Sequence, residues 1–368
     1  MELSQLSDQY GNFYAPGFAI KAGGRELLRD LHLAPTQVEV DLVLGAASRF
    51  SFTLTDCYSQ EAHAFENDRH DDVIELLDFG TEVEVRLGYG DTTKMPLMIT
   101  GLVTEVTTNF PESGSAELSV SGYDHGFQLT LGKNNRTWSK ARDSDAAHEI
   151  ASYNNLGEKI VATAEQHPQI EQNQESDWEF LKKLADRNHY ELYLDETSTL
   201  HFAKPNDDAT GVVRLPWGRG LVSFKPEANL AGQIAKVEVY GWDRNRQEAI
   251  VGVARAGQES GLTGKSAAQR LARFVRDPDK QPVLRLRQPV FTQSEANERA
   301  KSALDERAKQ FLTGDAESIG LPDLRPDRNV QLDDLGFPFS KTYYIQQATH
   351  KVDGNGYRTR FKVKETGL

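Results

Sequence analysis

The segment MITGLVTEVTTNFPESGSAELSVSGYD (98–124) decides the fold class, because it contains two strand patterns separated by a turn. Its first part is rich in β-branched residues, and Gly101 is placed to bend or bulge a strand. PESGS (111–115) has the residues of a turn, and AELSVSGYD (116–124) alternates apolar and polar residues with a period of two. We therefore predict antiparallel strands on both sides of residues 111–115.

The same alternation continues toward the N-terminus. QVEVDLVLG (37–45), RFSFTLTD (49–56) and TEVEVRLGYG (81–90) are each predicted as half-buried strands. DDVIELLDFG (71–80) interrupts the series and fits a short helix. Strands at this spacing indicate a meander that closes into a barrel, which we assign to residues 1–131.

A small α/β domain of two helices and a hairpin is predicted over residues 132–205, after a polar, turn-rich boundary, with the first helix at SDAAHEIASYNNL (144–156). Its clearest helix begins after Ser176, which caps the first turn while Glu179 completes a capping box. YELYLDETSTLHFA (190–203) follows with the pattern of a β-hairpin.

Residues 206–368 are predicted as a second barrel, with a helical insert at about 250–320. MITGLVTEV (98–106) matches YIQQATHKV in the last strands at an offset of about 245 residues, and a weaker echo links residues 37–56 to residues 221–243. The predicted fold class is α+β, mainly β: two tube-type antiparallel barrels, an inserted α/β domain and a helical insert. Two similar barrels per chain would let three chains form a ring of six.

Composition excludes some functions. The net charge is −13 and the pI about 5.3, which argues against a surface that coats a nucleic-acid backbone. No window approaches the roughly 20 apolar residues that span a bilayer, and the N-terminus lacks the pattern of a secretory signal. The single cysteine, Cys57, cannot form an intrachain disulfide and is predicted to be buried.

The sequence offers little catalytic chemistry. His148 and Glu149 lack the second histidine of a metal-binding HExxH motif. The acid- and histidine-rich segment EAHAFENDRHDD (61–72) reads as a solvated loop, without the spacing of a calcium loop. Asp177 and Glu179 could form a carboxylate pair acting on sugar, but a capping box explains them better. We expect no catalytic, metal or cofactor residues and no enzymatic activity.

Aromatic and basic residues are dense near the C-terminus. Core packing and a subunit interface are the two alternative explanations for the aromatic residues there. The basic clusters LRPDRN (324–329) and RLRQP (285–289) could meet an acidic partner, line a channel, or be scattered surface charge. The candidate interface residues are Tyr343, Tyr344, Phe337, Phe339, Arg325 and Arg328.

Four segments in order resemble the phage late control gene D family, which includes tail hub proteins and the N-terminal part of VgrG spike proteins. They are FGTEVEVRLGYG (79–90), residues 98–124, QNQESDWEFLKKLADRNHYELYLDE (172–196) and residues 324–361, which begin LRPDRNVQLDD. The resemblance covers nearly the whole chain. It implies a structural homotrimer, assembled into a tail or injection particle after synthesis in the bacterial cytoplasm.

The resemblance also implies partners. One face of the trimeric ring would meet the hexameric inner tube, the other would hold a trimeric spike, and the periphery would meet baseplate wedge components. A LysM-type tail protein is a further candidate partner. Because the sequence stops after the second set of strands, we expect the spike to be a separate chain. Two alternatives are a tail-associated cell-wall hydrolase and a carbohydrate-binding β-sandwich.

Overall fold

The computed structural model describes residues 1–206, 210–243, 247–260, 264–277, 280–287, 290 and 292–368. The chain is α+β and mainly β, as predicted, and its largest element is a 13-stranded sheet. The last two residues of the cluster at 285–289 lie outside the described residues.

The N-terminal third holds two α-helices, two short 3-10 helices and nine strands. Alternation produces the predicted strands: Phe50, Phe52 and Leu54 are buried on one face of their strand, and the intervening residues lie on the other. The α-helices and strands of this third are α1 Leu3–Gln9, β1 Pro16–Ala22, β2 Arg25–Glu26, β3 Pro35–Val43, β4 Arg49–Thr55, β5 Tyr58–Ser59, β6 Ala64–Phe65, α2 Val73–Leu76, β7 Glu82–Tyr89, β8 Leu97–Asn109 and β9 Glu117–Asp124.

The strands on either side of residues 111–115 pair antiparallel, as predicted, from Asn109 opposite Glu117 to Gly101 opposite Asp124. The irregularity lies between Val103 and Glu105, so the bulge predicted at Gly101 is displaced by a few residues. Gly101 has a different role. A Cβ there would lie 2.2 Å from the Tyr123 carbonyl oxygen, so glycine permits the close approach of β9.

The middle of the chain forms two small sheets with helices packed against them. The predicted capping box is present, since Ser176 Oγ accepts from the Glu179 N–H at 3.2 Å and the Glu179 carboxylate accepts from the Ser176 N–H at 2.9 Å. The hairpin predicted at 190–203 is confirmed. The elements are α3 Gly126–Thr130, β10 Asn134–Arg142, α4 Asp143–Tyr153, β11 Gly157–Ile160, β12 Gln166–Glu175, α5 Asp177–Asn188, β13 Glu191–Leu194 and β14 Thr199–Ala203.

The last third of the chain begins in the long sheet, leaves it, and then returns to it for the last four strands. Residues 229–311 leave it and form a three-stranded sheet, in the order β18-β17-β19, with two helices. We call residues 229–311 the insert; it begins earlier than predicted and contains strands as well as helices. The elements are β15 Val213–Pro216, β16 Leu221–Ala228, β17 Lys236–Asp243, β18 Glu248–Arg255, α6 Ala267–Phe274, β19 Val283–Arg287, α7 Gln293–Lys309, β20 Leu312–Ile319, β21 Asn329–Asp333, β22 Lys341–Asp353 and β23 Gly356–Glu365.

The long sheet consists of two half-sheets with the same order. The first is β3-β4-β9-β8-β7-β1 and the second is β16-β20-β23-β22-β21-β15. The order supports the repeat predicted from the C-terminal strands. It also corrects the weaker echo: β16 corresponds to β3, but the counterpart of β4 is β20, because β17 belongs to the insert sheet. The copies differ where β1 pairs antiparallel with β7 but β15 pairs parallel with β21.

The half-sheets are joined by antiparallel pairing of β3, the edge strand of the first, with the part of β22 that lies beyond its pairing with β21. Asp41 stabilises this junction. Its Oδ1 and Oδ2 accept from Gln347 Nε2 at 2.8 and 3.0 Å, and its Oδ1 also accepts from Thr349 Oγ1 at 2.8 Å. Strand pairings within the described ranges give one continuous sheet, and none of them closes either half into a separate barrel.

Candidate assembly surfaces

One face of the long sheet is polar across both half-sheets, while the other face lies on two apolar cores, one under each half-sheet. The residues on the open side are mostly charged or carry hydroxyl groups, as expected for an antiparallel sheet with one solvated face. We call this surface the polar face; its residues include Lys21, Glu39, Asp41, Arg49, Ser51, Thr53, Glu84, Ser119, Lys225, Asp315, Glu317, Thr349, Lys351, Arg358, Arg360 and Lys362.

Opposite charges face each other across the strands of the polar face. Arg360 Nε lies 3.1 Å from Glu317 Oε2, and Lys21 Nζ lies 4.0 Å from Glu84 Oε2. Such pairs stabilise neighbouring strands modestly. Two of the four basic residues in the RTRFKVK stretch of β23, Arg360 and Lys362, thereby face acids on β20, a pattern that sequence reasoning missed. The opposed pairs are Lys225–Asp315, Asp315–Lys362, Glu317–Arg360, Lys351–Glu39, Asp41–Arg49 and Lys21–Glu84.

Among the described strands, the long sheet has several partly open edges, including the second half of β8, which extends beyond its pairing with β7. β16 pairs on one side only, with β20, and β1 has β2 beside only its last two residues. The Asn229 N–H donates to the Phe311 carbonyl at 2.9 Å, so the register turns Pro226 toward the open side of β16. Proline has no N–H to donate to a neighbouring strand there. This edge therefore pairs less readily, although its other N–H and C=O groups remain available.

Arg325, predicted at an interface between subunits, instead ties together three parts of its own chain. It is 9% exposed. Its Nη2 donates to the Leu97 carbonyl of β8 at 2.7 Å, its Nε donates to the Pro322 carbonyl at 3.0 Å, and its Nη1 lies 2.6 Å from Glu196 Oε2 in the β13–β14 turn. The guanidinium thus links the first half-sheet, the loop before β21 and the small α/β domain.

Tyr344 forms a second junction inside the chain. Its hydroxyl donates to Asp327 Oδ1 at 2.9 Å and contacts Glu191 Oε1 at 3.3 Å, and the Lys364 ammonium lies 4.9 Å from its ring centre. Tyr193 donates to the other Asp327 oxygen at 3.2 Å. Burial raises the pKa of Asp327, although these hydrogen bonds oppose the shift, and burial also raises the pKa of Tyr344.

The other predicted interface residues are split between core and surface. Tyr343 is fully buried, donates to the Phe339 carbonyl at 2.9 Å and packs edge-on against Phe224. Phe339 is half-buried against the same core, and Arg328 donates to the Asp323 carbonyl at 3.3 Å. Phe337 alone of the six is fully exposed, at the tip of the β21–β22 turn. Sequence reasoning missed Trp217, which is also exposed. Its backbone N–H donates to the Asp333 carbonyl beside that turn.

The carboxylates considered for sugar chemistry are engaged structurally. Asp177 Oδ1 accepts from Arg136 at 2.7 Å, Gln172 at 2.8 Å and Asn134 at 2.9 Å. Burial raises the pKa of Asp177, but these bonds outweigh burial and leave the pKa lowered. Hydrogen bonds from Ser176 lower the pKa of Glu179. Both pKa values are therefore lowered, whereas the general acid of a catalytic carboxylate pair usually has a raised pKa.

Other groups flagged in the sequence also have structural partners. Cys57 is buried, as predicted, and burial raises the pKa of its thiol. In the segment 61–72, His70 contacts Glu66 at 3.2 Å. His148 contacts Glu158 at 2.8 Å. Within the described ranges, no three His, Cys, Asp or Glu side chains are grouped to hold a metal, and no helix could span a bilayer.

The fold is that of phage tail proteins. The 43 kDa tail protein of prophage MuSo2 from Shewanella oneidensis aligns with a TM-score of 0.70 at 14% identity, covering 95% of this chain and 98% of that one. The tail protein of Neisseria meningitidis MC58 gives 0.67 at 16% identity over 96% and 97%.

A third neighbour is the E. coli c3393 protein, described as a type VI secretion component similar to the phage T4 tail proteins gp27 and gp5. It gives a TM-score of 0.56 at 12% identity over 94% of this chain and 76% of that one. Identities this low establish the fold alone, and they confirm the late control gene D resemblance only as a tail-hub-like fold.

No curated protein matches the chain. A family model does match, but its description differs from the family expected from the sequence. Its match extends from the first strand to the β22–β23 turn. The model is described as the Alg8 N-terminal domain and matches residues 17–354, so the chain belongs to that family.

Proposed function

We propose that the chain is a structural hub in the baseplate of a contractile tail or injection machine. Three copies form a ring that adapts a six-fold inner tube to a three-fold spike. The supporting observation is the repeated strand order: two half-sheets per chain give six similar half-sheets per trimer. The neighbouring folds, which are tail and type VI secretion proteins, support the same role.

In a ring that repeats the internal junction of β3 with β22, successive copies would join by pairing β16 of one copy with the open second half of β8 of the next, because β16 and β8 are the counterparts of β3 and β22. A strand edge with free N–H and C=O groups pairs readily with another chain. In such a ring the polar face is the continuous surface shared by all six half-sheets. Its opposed charges would leave it close to neutral, although the chain carries a net charge of −13.

Native mass spectrometry of the purified chain, alone and with its cognate tube protein, tests the ring. We expect trimers, and we expect Ala228→Pro to weaken them, because residue 228 lies on the open side of β16 with Pro226. The melting curve of the variant monomer should stay close to wild type. A chain that remains monomeric with both tube and spike proteins present would count against the hub.

The proposed role involves no catalysis, and the spike, tube and wedge components are its partners. A peptidoglycan zymogram tests this against the cell-wall hydrolase. Clearing by the wild-type chain that disappears in Asp177→Ala or Glu179→Ala would replace the hub with an enzyme. We expect no clearing by any of the three proteins.

A further inference from the structure

The sheet of the insert has one covered face. Ala296, Ala300 and Leu304 of α7 pack on Val237 and Val239 of β17 and on neighbouring residues of β18. Close packing is enforced at the centre, where a Cβ on Gly252 would lie 2.0 Å from the Ala296 carbonyl oxygen. This helix therefore accounts for the apolar residues on one side of the three strands.

The opposite side, which we call the insert face, is accessible and carries large side chains. Trp242 is 53% exposed, and Tyr240 and Val251 are each 37% exposed. Tyr240 lies opposite Val251 on one neighbouring strand and opposite Arg287 on the other. The insert face consists of Lys236, Glu238, Tyr240 and Trp242 of β17, Ala249, Val251, Val253 and Arg255 of β18, and Val283, Arg285 and Arg287 of β19.

A single carboxylate holds the insert face in shape. Glu238 accepts hydrogen bonds from the Tyr240 hydroxyl at 2.8 Å and from Arg285 Nε at 3.1 Å, and it also pairs with Lys236. Hydrogen bonds from Lys236 and Tyr240 lower the pKa of Glu238 to about 2, so the carboxylate is charged at neutral pH. The aromatic ring and the guanidinium are thus ordered before any partner arrives, which reduces the entropy cost of binding.

The insert face is positive, in contrast to the chain as a whole. It carries Lys236, Arg255, Arg285 and Arg287 against the one acid Glu238, whereas the net charge of the chain is −13. Trp, Tyr and Arg are also the residue types that dominate binding energy at protein interfaces. Charge and residue type together favour an acidic partner that also presents apolar side chains.

We propose that the insert face docks an acidic segment of a partner protein. Apolar side chains of that segment contact the strip formed by Tyr240, Trp242 and Val251, and its carboxylates meet Arg285 and Arg287. A single-stranded nucleic acid would meet the same arginines and aromatic rings, and it is the alternative occupant that the test below separates from an acidic protein segment. The proposal does not depend on the ring, since the insert lies outside the long sheet.

Size sets the expected affinity. Eight paired residues give a length of roughly 26 Å, and three strands give a width of roughly 15 Å, so the face covers about 400 Å². A standard interface buries about 800 Å² on each partner. The insert face supplies about half of that area, so we expect micromolar or weaker binding of an isolated segment.

The test uses the full chain and defined probes in fluorescence anisotropy. The probes are a labelled peptide of glutamate and leucine at helical spacing, the same peptide with lysine for glutamate, and single-stranded oligothymidine. We expect the glutamate peptide to bind more tightly than the other two. Charge reversal in Arg287→Glu, which leaves the Arg285–Glu238 pair intact, should weaken that binding roughly tenfold, and Trp242→Ala should weaken it too.

Trp217→Ala is the matched control, because Trp217 is 59% exposed and lies outside the insert. It should leave peptide binding unchanged, and all variants should melt close to wild type. Three results would each overturn the proposal: no binding of the glutamate peptide at millimolar concentration, equal or tighter binding of the lysine peptide or oligothymidine, or an equal loss in Trp217→Ala.

Discussion

Replacing Arg325 by alanine should destabilise the chain far more than removing an exposed arginine. The buried guanidinium bonds the Leu97 and Pro322 carbonyls and the Glu196 carboxylate. Removing it leaves two carbonyl oxygens without their charged donor, at about 1–3 kcal/mol for each, whereas the Glu196 carboxylate adds less because its side chain is 33% exposed and regains water. We expect a loss of that size in the free energy of unfolding.

Urea denaturation followed by tryptophan fluorescence and circular dichroism measures this loss. Hydrogen exchange should also accelerate around Leu97, Glu196 and Pro322, since each belongs to a different part of the junction. Arg325→Lys should recover part of the stability, because lysine keeps the charge but cannot reproduce the planar fork of donors.

The matched control is Arg360→Ala. Arg360 Nε lies 3.1 Å from Glu317, but its side chain is 75% exposed, so its loss should cost about 0–1 kcal/mol. If Arg325→Ala cost no more than Arg360→Ala, the reasoning that Arg325 fastens three parts of the chain would be refuted.

Three further predictions concern packing, pH and helix capping. Gly252→Ala should destabilise the insert by about 3 kcal/mol or more, because a Cβ collides with α7, whereas Gly354→Ala, with open space around it, should change urea stability little. Burial lowers the pKa of His350 to about 3, so its stabilising contribution is present above its unfolded pKa and is lost as pH falls toward 3. The stability advantage of wild type over His350→Gln should therefore shrink by up to about 1.4 kcal/mol per unit below about pH 6.5 in urea titrations. Ser176→Ala should cost about 1 kcal/mol of thermal stability by removing the cap of α5.

The strands were predictable because alternation is local. β4, β7 and the β8–β9 pair follow from which residues face the core. The partner of a strand is a long-range property, and this explains the error over β17: its alternation resembles that of β4, but it pairs within the insert. Only the pairing of β16 with β20 reveals where the chain resumes the long sheet.

The candidate interface was harder to predict from the sequence. Tyr344 and Arg325 have the residue types of subunit contacts, but the same chemistry joins separate parts of one chain, and the structure uses them for that purpose. The exposed Phe337 has the same residue type as its half-buried neighbour Phe339. Composition could not separate the two, because exposure depends on where the turn projects.

The two half-sheets differ most in one connection, which joins β3 to β4 in the first copy and β16 to β20 in the second. A short turn, residues 44–48, connects β3 to β4, whereas residues 229–311 occupy the corresponding place between β16 and β20. In an assembly of six identical subunits, an insertion of this kind would occur at every position. Carrying both copies on one polypeptide lets one copy diverge while the other stays compact. In the proposed trimer the extra module then recurs at every second position, so neighbouring components could be recruited three at a time around a nearly six-fold core.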